Sequence, residues 1–485
     1  MSHHQSRLLR LLVVAAVVTA AAVTALVGGR SGPQRAGAVA RPLLPQPPSV
    51  HAATQPRPTS QCLSVYGIHC YSPAQFENAY DMTSLHAAGV DGAGQTIAIV
   101  DSFGSPTIAN DLHQFDQTFG VSNPWGIPVD PAIAQDPNLT IIHPAGAPPP
   151  FDPTNDDMVG WAEETTLDVE WAHVFAPKAN ILLVETPVSE TEGVTGFPEM
   201  MHAENYVINH HLAGVISQSF GATENTFPNV LSLAKLRYAF LNAAIKGVTV
   251  LGASGDTGST DYQLNLEDLY PFQVNSWPSS DPLVTSVGGT QLTLDDSGNR
   301  LAPDVVWNDG YGAGGGGPSH VFGRPLFQNG VHNVVGQARG TPDISMNAAV
   351  DGGVWVYYTF VSPSSPYHIF GGTSAATPEF SGIVAMADQL AGRPLGLLND
   401  ALYSLAGTSW LGAKNGIVDV TQGNNDIGPF QNSDGNTYHV PGYSAGPGYD
   451  LASGLGTVDA ARFVPALVAK ACADSSGHGT FACHH

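Results

Sequence analysis

A serine, two carboxylates one helical turn apart and a third carboxylate in a glycine turn stand out in this 485-residue chain as groups able to do chemistry together. The serine is Ser374, in the run Gly371-Gly372-Thr373-Ser374-Ala375-Ala376-Thr377-Pro378. Residues this small let a backbone turn tightly and approach a substrate. The pattern from Ser374 to Leu390 is helical, and Pro378 is tolerable only near a first turn. Ser374 is therefore expected at a helix N-terminus, where the dipole and free amides favour developing negative charge. That setting suits an attacking hydroxyl. The plain alternative is an N-cap serine with no chemistry.

The paired acids lie in the segment WAEETTLDVEWAH. Glu164 and Asp168 are four residues apart, so both project from one helical face. Like charges there repel unless the two groups share a proton. A shared proton is what a general base and its orienting partner need. The plain alternative is a solvated acidic face. Leu167, Val169 and Trp171 argue for an apolar neighbourhood instead, with Glu163 and Glu170 expected towards solvent. The third acid is Asp256, in Ala253-Ser254-Gly255-Asp256-Thr257-Gly258 after an apolar run. On its own it reads as a turn aspartate between glycines.

The GTS-x-A-x-P pattern resembles the nucleophile motif of the subtilisin superfamily. The subtilisin branch requires an Asp, then a His in an HGT context, then the Ser. Asp101 could serve as the first, but the only HGT, at His478-Gly479-Thr480, lies beyond Ser374. The chain is instead similar to the sedolisin branch, the serine-carboxyl peptidases. The likeness covers roughly residues 71–465, with Glu164, Asp168, Asp256 and Ser374 in family order, and LDVEWAHVFAPKANILLVE is family-like beyond the acids.

This resemblance implies that Glu164 takes the serine proton and that Asp168 holds Glu164. It gives Asp256 the oxyanion position, where an ionised carboxylate would repel and only a protonated one can donate. An acidic working pH follows. The resemblance also implies one structural calcium ion. Asp419 and Asp450 would supply carboxylates, and Val420, Gly446 and Gly448 carbonyl oxygens, as a hard cation needs. The plain alternative is a pair of glycine-rich turns. Gly314–Gly317, a flexible glycine run by composition, matches a family stretch followed by Ser319. Ser217–Gly221 is expected to offer an edge to an extended peptide.

These groups need a frame. Thr96–Ser102, Ile181–Thr186, Gly214–Phe220 and Val248–Ala253 are apolar runs of the kind buried on both faces of a sheet. Helical patterns lie over Ala162–Phe175, Val230–Ala244 and Ser374–Leu390. The alternation predicts an α/β fold; with the resemblance it becomes subtilisin-like, a mostly parallel twisted sheet with helices on both faces. One domain is expected over residues 71–465. Residues 41–70 read as a Pro-rich linker or short pro-segment, and 466–485 as a tail holding a cysteine pair.

Seventeen Lys+Arg against 41 Asp+Glu give a net charge of -24, which argues against nucleic acid or an anionic membrane as partner. A peptide or protein substrate and a monomer are expected. Arg7 and Arg10 precede an apolar run from Leu11 to Val27, and Ala38-Val39-Ala40 offers a cleavage site, so residues 1–40 read as an export signal. Cleavage nearer Ala20 and an uncleaved anchor are the alternatives. Secretion fits the four cysteines, for which Cys62–Cys70 and Cys472–Cys483 are the simplest of three pairings.

One departure stands out. Members of the family usually carry a long N-terminal propeptide, whereas about 30 residues here separate signal from catalytic body. The leading expectation is a secreted peptidase using acyl-enzyme chemistry. An inactive binding protein of the same fold is the second, and a glycosidase with paired carboxylates the third.

Overall fold

A computed structural model describes residues 52–121, 138–407 and 413–476. The expected export signal and Cys483 lie outside them. Among the described residues no helix is long and apolar enough to cross a membrane.

The first described residues are woven into the body rather than left as a linker. Ala53 and Tyr367 exchange backbone hydrogen bonds. Helix α1 (Thr59–Tyr66) leads to strand β1 (Cys70–Tyr71). A Cys62–Cys70 disulfide with a Cα–Cα distance of 5.9 Å closes this lobe, and both cysteines are buried. The folded region therefore begins before residue 71.

The frame is an eight-stranded sheet. Its members are β2 (Thr96–Ser102), β3 (Leu139–Ile142), β4 (Asn180–Thr186), β5 (Val215–Gln218), β6 (Thr249–Ala253), β7 (Thr285–Gln291), β8 (Val305–Val306) and β9 (Ile344–Asn347). The order is β8-β7-β6-β5-β2-β4-β3, with β9 also pairing β7. Only the β8–β7 pair is antiparallel. The expected α/β, mostly parallel architecture is what forms.

Strand β2 shows why its sequence is apolar without alternation. Ala98 and Val100 pack against the layer containing Phe197, Met200 and Phe240, whereas Ile97 and Ile99 pack against Val169, Ala172 and Ala385. Both faces are covered, so every position after Thr96 is buried. By the two-residue period Asp101 falls on the Ile97 and Ile99 side.

That side carries two helices, α2 (Asp156–Phe175) and α3 (Thr373–Ala391). Asn155 caps α2 by accepting from the amides of Asp157 and Met158. Helix α3 springs from Gly372, whose φ of 104° is one that L side chains rarely adopt. The two helices cross closely at Gly382, where an added Cβ would stand 2.4 Å from Phe175 Cβ. The chain ends its described part in α4 (Ala460–Ser476), whose Phe463, Val464 and Leu467 join the core. The peptidase-like body thus runs past residue 465. Cys472 is disulfide-bonded, as expected of the terminal pair.

The α2–α3 crossing sets where the site residues can sit. Gly382→Val should force the helices apart and lower stability by about 1–3 kcal/mol. Thermal unfolding checks this, and an unchanged melting temperature would contradict the close crossing.

Candidate active site

The sheet delivers its polar residues at the carboxyl ends of neighbouring strands, as open parallel sheets do. Asp101 closes β2, Ser219 follows β5 and Asp256 follows β6. Helix α2 presents Glu164 and Asp168 from above, and the first turn of α3 presents Ser374. All six side chains are buried, Glu164, Asp168 and Ser374 with no exposure.

Ser374 stands close enough to Glu164 to stabilise its anion. Yet neither the Ser374 hydroxyl nor either Glu164 oxygen has a hydrogen bond of normal geometry. Such looseness is common before substrate arrives. Burial pushes the Glu164 carboxyl well above its ordinary range. Ser374 opposes that rise, and the charges of Asp101, Asp256 and Glu163 add to it. Asp168 is raised likewise, by burial first and then by Asp101 and Glu164. Both acids therefore release their protons at higher pH than exposed carboxyls do.

Asp256 is fixed from the helix that carries Ser374. Its Oδ1 accepts from the Thr373 amide and the Thr373 hydroxyl, both at 2.8 Å. Thr373 Oγ1 in turn accepts from the Gly255 amide at 3.1 Å. Asp256 Oδ2 is left buried and unpartnered. Burial raises this carboxyl to about 7 against the two Thr373 bonds. Below that pH the group is neutral, and with Oδ1 engaged by two donors, Oδ2 is the oxygen free to carry the proton.

Pro378 explains a second link. It lies inside α3 and has no N–H, so it cannot donate to the carbonyl four residues back, which is that of Ser374. The Ser219 hydroxyl lies 3.3 Å from that carbonyl and 3.0 Å from Asp168 Oδ1. Ser219 thus sits between the backbone of Ser374 and the acid behind Glu164.

Several positions differ from their sequence expectation. Glu170 is buried, not solvated: its Oε2 accepts from the Tyr357 amide at 3.0 Å on the back of α2. Glu163 is half-buried and accepts from Tyr358. Ser217 cannot receive a peptide strand, because it is paired with β2 on one side and β6 on the other. Gly314–Gly317 is buried and rigidly packed; a Cβ on Gly315 would meet the Ser254 carbonyl oxygen at 2.1 Å. The run braces the Asp256 loop, with Ala313 N donating to Asp256 O and Gly315 N to Gly255 O. Asp101 emerges beside the acid pair, raised to about 7 by burial. The strand period held that signal, since an acid at an inward position of a buried strand must face the covering helix.

The expected metal ligands also gather. Gly446 N donates to Asp450 Oδ2 at 3.0 Å and Gly448 N to Asp419 Oδ2 at 2.8 Å, so one glycine loop joins both carboxylates. Asp450 Oδ1 accepts from Ala452, Ser453 and the Ser453 hydroxyl. Asp419 Oδ1 is buried without a partner. The Val420 carbonyl lies within reach of Ser453 Oγ. No group of three or more His, Cys, Asp or Glu gathers as a metal cluster among the described residues, so an ion here would draw its other oxygens from carbonyls.

Comparison with known proteins agrees with this geometry. A model of the subtilase family, peptidase S8, matches residues 158–399. Kumamolisin of Bacillus sp. (strain MN-32) is 33% identical over 411 residues, 83% of this chain and 64% of its own. Sedolisin of Pseudomonas sp. (strain 101) is 27% identical over 402 residues, 81% of this chain and 60% of its own. Among solved structures, Pseudomonas sedolisin, a serine-carboxyl proteinase complexed with two molecules of pseudo-iodotyrostatin, aligns with a TM-score of 0.64 at 25% identity. That alignment covers 82% of this chain and 98% of the other. The fold is thus that of the subtilisin-like proteins. Within them, the chain is similar to kumamolisin and sedolisin. It spans less than two thirds of the length of the two curated relatives named.

Proposed function

We propose that this protein is a secreted serine-carboxyl peptidase that hydrolyses peptide bonds at acidic pH. Ser374 Oγ attacks the scissile carbonyl carbon while Glu164 takes its proton. Asp168 holds Glu164 in place, and the proton returns to the leaving amine. Water then releases the acyl group by the same steps. Asp256 Oδ2–H donates to the oxygen that becomes negative. The observation that carries this reading is the Thr373 clamp on Asp256 Oδ1, because it leaves a buried neutral acid with its other oxygen free.

The assignment bounds the working pH on both sides, with the lower bound moved up by the burial of Glu164. Glu164 must be ionised to accept a proton, which sets the lower limit. Asp256 must keep its proton, which sets the upper limit near its value of about 7. The members titrate as a set, so a rate profile reports the group.

The Asp419 and Asp450 region fits one structural calcium ion. The support is the unpartnered, buried Asp419 Oδ1 and the glycine loop that gathers both acids. Val420, Gly446 and Gly448 would add carbonyl oxygens. The ion would steady loops that pack towards the Gly314–Gly317 brace, where a Cβ on Gly316 would meet the Leu451 carbonyl oxygen. A monomer acting outside the cell on peptides or proteins completes the reading.

Denatured casein incubated at about pH 3–5 tests the chemistry. Ser374→Ala should lose about 10⁴-fold or more in turnover. Equal activity in both proteins would remove Ser374 as nucleophile. Asp256→Ala should lose about 10²–10³-fold. Asp256→Asn keeps a neutral donor, so its activity should persist to higher pH than the wild type's. An upper limit unmoved by Asp256→Asn would contradict the donor role.

The calcium assignment has its own readout. Chelation should lower the melting temperature of the wild type, and added calcium should restore it. A melting temperature indifferent to both would contradict the site.

A further inference from the structure

The face of α2 that carries Glu164 continues towards its N-terminus through Trp161 to Asp157. Beyond it the structure gathers three more carboxyls from two segments. Glu190 follows β4, Glu192 lies two residues on, and Asp261 follows the Asp256 turn. Glu192 accepts from the Thr223 amide at 2.9 Å and the Thr226 hydroxyl at 2.8 Å. The Thr223 hydroxyl also reaches the Tyr262 carbonyl at 2.8 Å, next to Asp261. Asp261 accepts from Thr257 at 2.8 Å, from the Tyr262 amide at 2.9 Å and from Ser276. Its Oδ2 is 3.9 Å from where a Cβ on Gly255 would stand, so it abuts the loop that carries Asp256. The cluster therefore lies between the start of α2 and the loop that carries Asp256.

Nothing cationic balances these groups. Among the described residues, no ion pair involves Asp157, Glu190, Glu192 or Asp261. Glu190 is only 3% exposed, and its Oε1 has no partner. It feels the charges of Glu192, Asp261 and Asp157. Glu192 is half-buried, so it keeps the cluster's one partial contact with the surface among these three acids. Carboxyls crowded without a counter-charge are costly to ionise, and a cation arriving among them removes that cost.

We propose that Glu190, Glu192 and Asp261 form a subsite for a cationic group of the peptide substrate, an ammonium or guanidinium. Its place beside the Asp256 loop makes it a determinant of which bond is cut. This rests on the peptidase reading, but binding can be measured without cleavage. The two sources of such a group, a Lys or Arg side chain and a free α-amino terminus, are told apart by acetylation.

The test uses the full-length Ser374→Ala protein and matched peptides. Each carries lysine or the neutral norleucine at successive positions, with a free or acetylated terminus. At one position lysine should bind about tenfold tighter than norleucine, or the free terminus about tenfold tighter than the acetylated one. Preference that survives acetylation assigns a side chain, and preference that vanishes with it assigns the terminus. Glu190→Gln and Glu192→Gln, each made separately in the Ser374→Ala background, should bring the ratio towards unity. Equal binding of charged and neutral peptides throughout overturns the subsite. So does a preference that both glutamine variants leave intact. A charge preference without cleavage by the wild type would keep the subsite and sink the peptidase reading.

Discussion

A carboxyl group moved out of water favours its neutral form, and in this chain several are moved out of water together. Asp101, Glu164, Asp168 and Asp256 lie in one buried space between the strand ends and the α2–α3 helix pair. The space exists because Gly382 lets α3 approach the backbone of Phe175 on α2. Two helices held that close to the sheet leave no room for water to solvate three or four negative charges. The protons that the acids retain are thus a consequence of packing, and the chemistry proposed for Ser374 depends on them.

Local backbone features then fix which atom of each group is free. Thr373 satisfies one oxygen of Asp256 with two donors and leaves the other. Pro378 removes the donor that would have taken the Ser374 carbonyl, and Ser219 stands between that carbonyl and Asp168. The residues flanking Ser374 therefore help to position Asp256 and Asp168. The buried glycine run before Ser319 supports the same loop from behind, and it also touches the segment around Asp450. A calcium ion in the latter region would stabilise the active site at a distance, by stiffening what Gly316 packs on.

Much of this was legible in the sequence because periodicity and chemistry coincided. Glu164 and Asp168 share a face by the helical repeat, and Ser374 lies in the first turn of the helix that its small-residue run announces. The unbroken apolar strands announced a sheet covered on both sides. What stayed hidden depended on neighbours distant in sequence. Glu170 looks like a solvated acid until the strand bearing Tyr357 is seen to cover it. Ser217 looks available to a peptide until β2 and β6 are seen on either side. Gly314–Gly317 looks flexible until the Ser254 and Leu451 carbonyls are found against it. Residues 52–70 look like a linker because little in them is apolar, yet two short pairings bind them to the body and the Cys62–Cys70 disulfide closes the segment on itself. Asp101 was the nearest miss, since its place in an apolar strand already required it to face a helix.

The central claim is that folding makes the buried acids hold protons, and stability as a function of pH tests it most directly. Burial raises Asp101 and Asp256 from 3.8 to about 7, with Glu164 and Asp168 also raised. Between the ordinary carboxyl range and about pH 7 the folded state therefore binds more protons than the unfolded state, so unfolding free energy must fall as pH rises. The contribution is complete at or below the ordinary carboxyl range, where both states are protonated. Measured from about pH 4 to about pH 8, the melting temperature should fall steadily, and Glu164→Gln should flatten the fall. A melting temperature that rises over that range, or a Glu164→Gln profile as steep as the wild type's, would contradict the account.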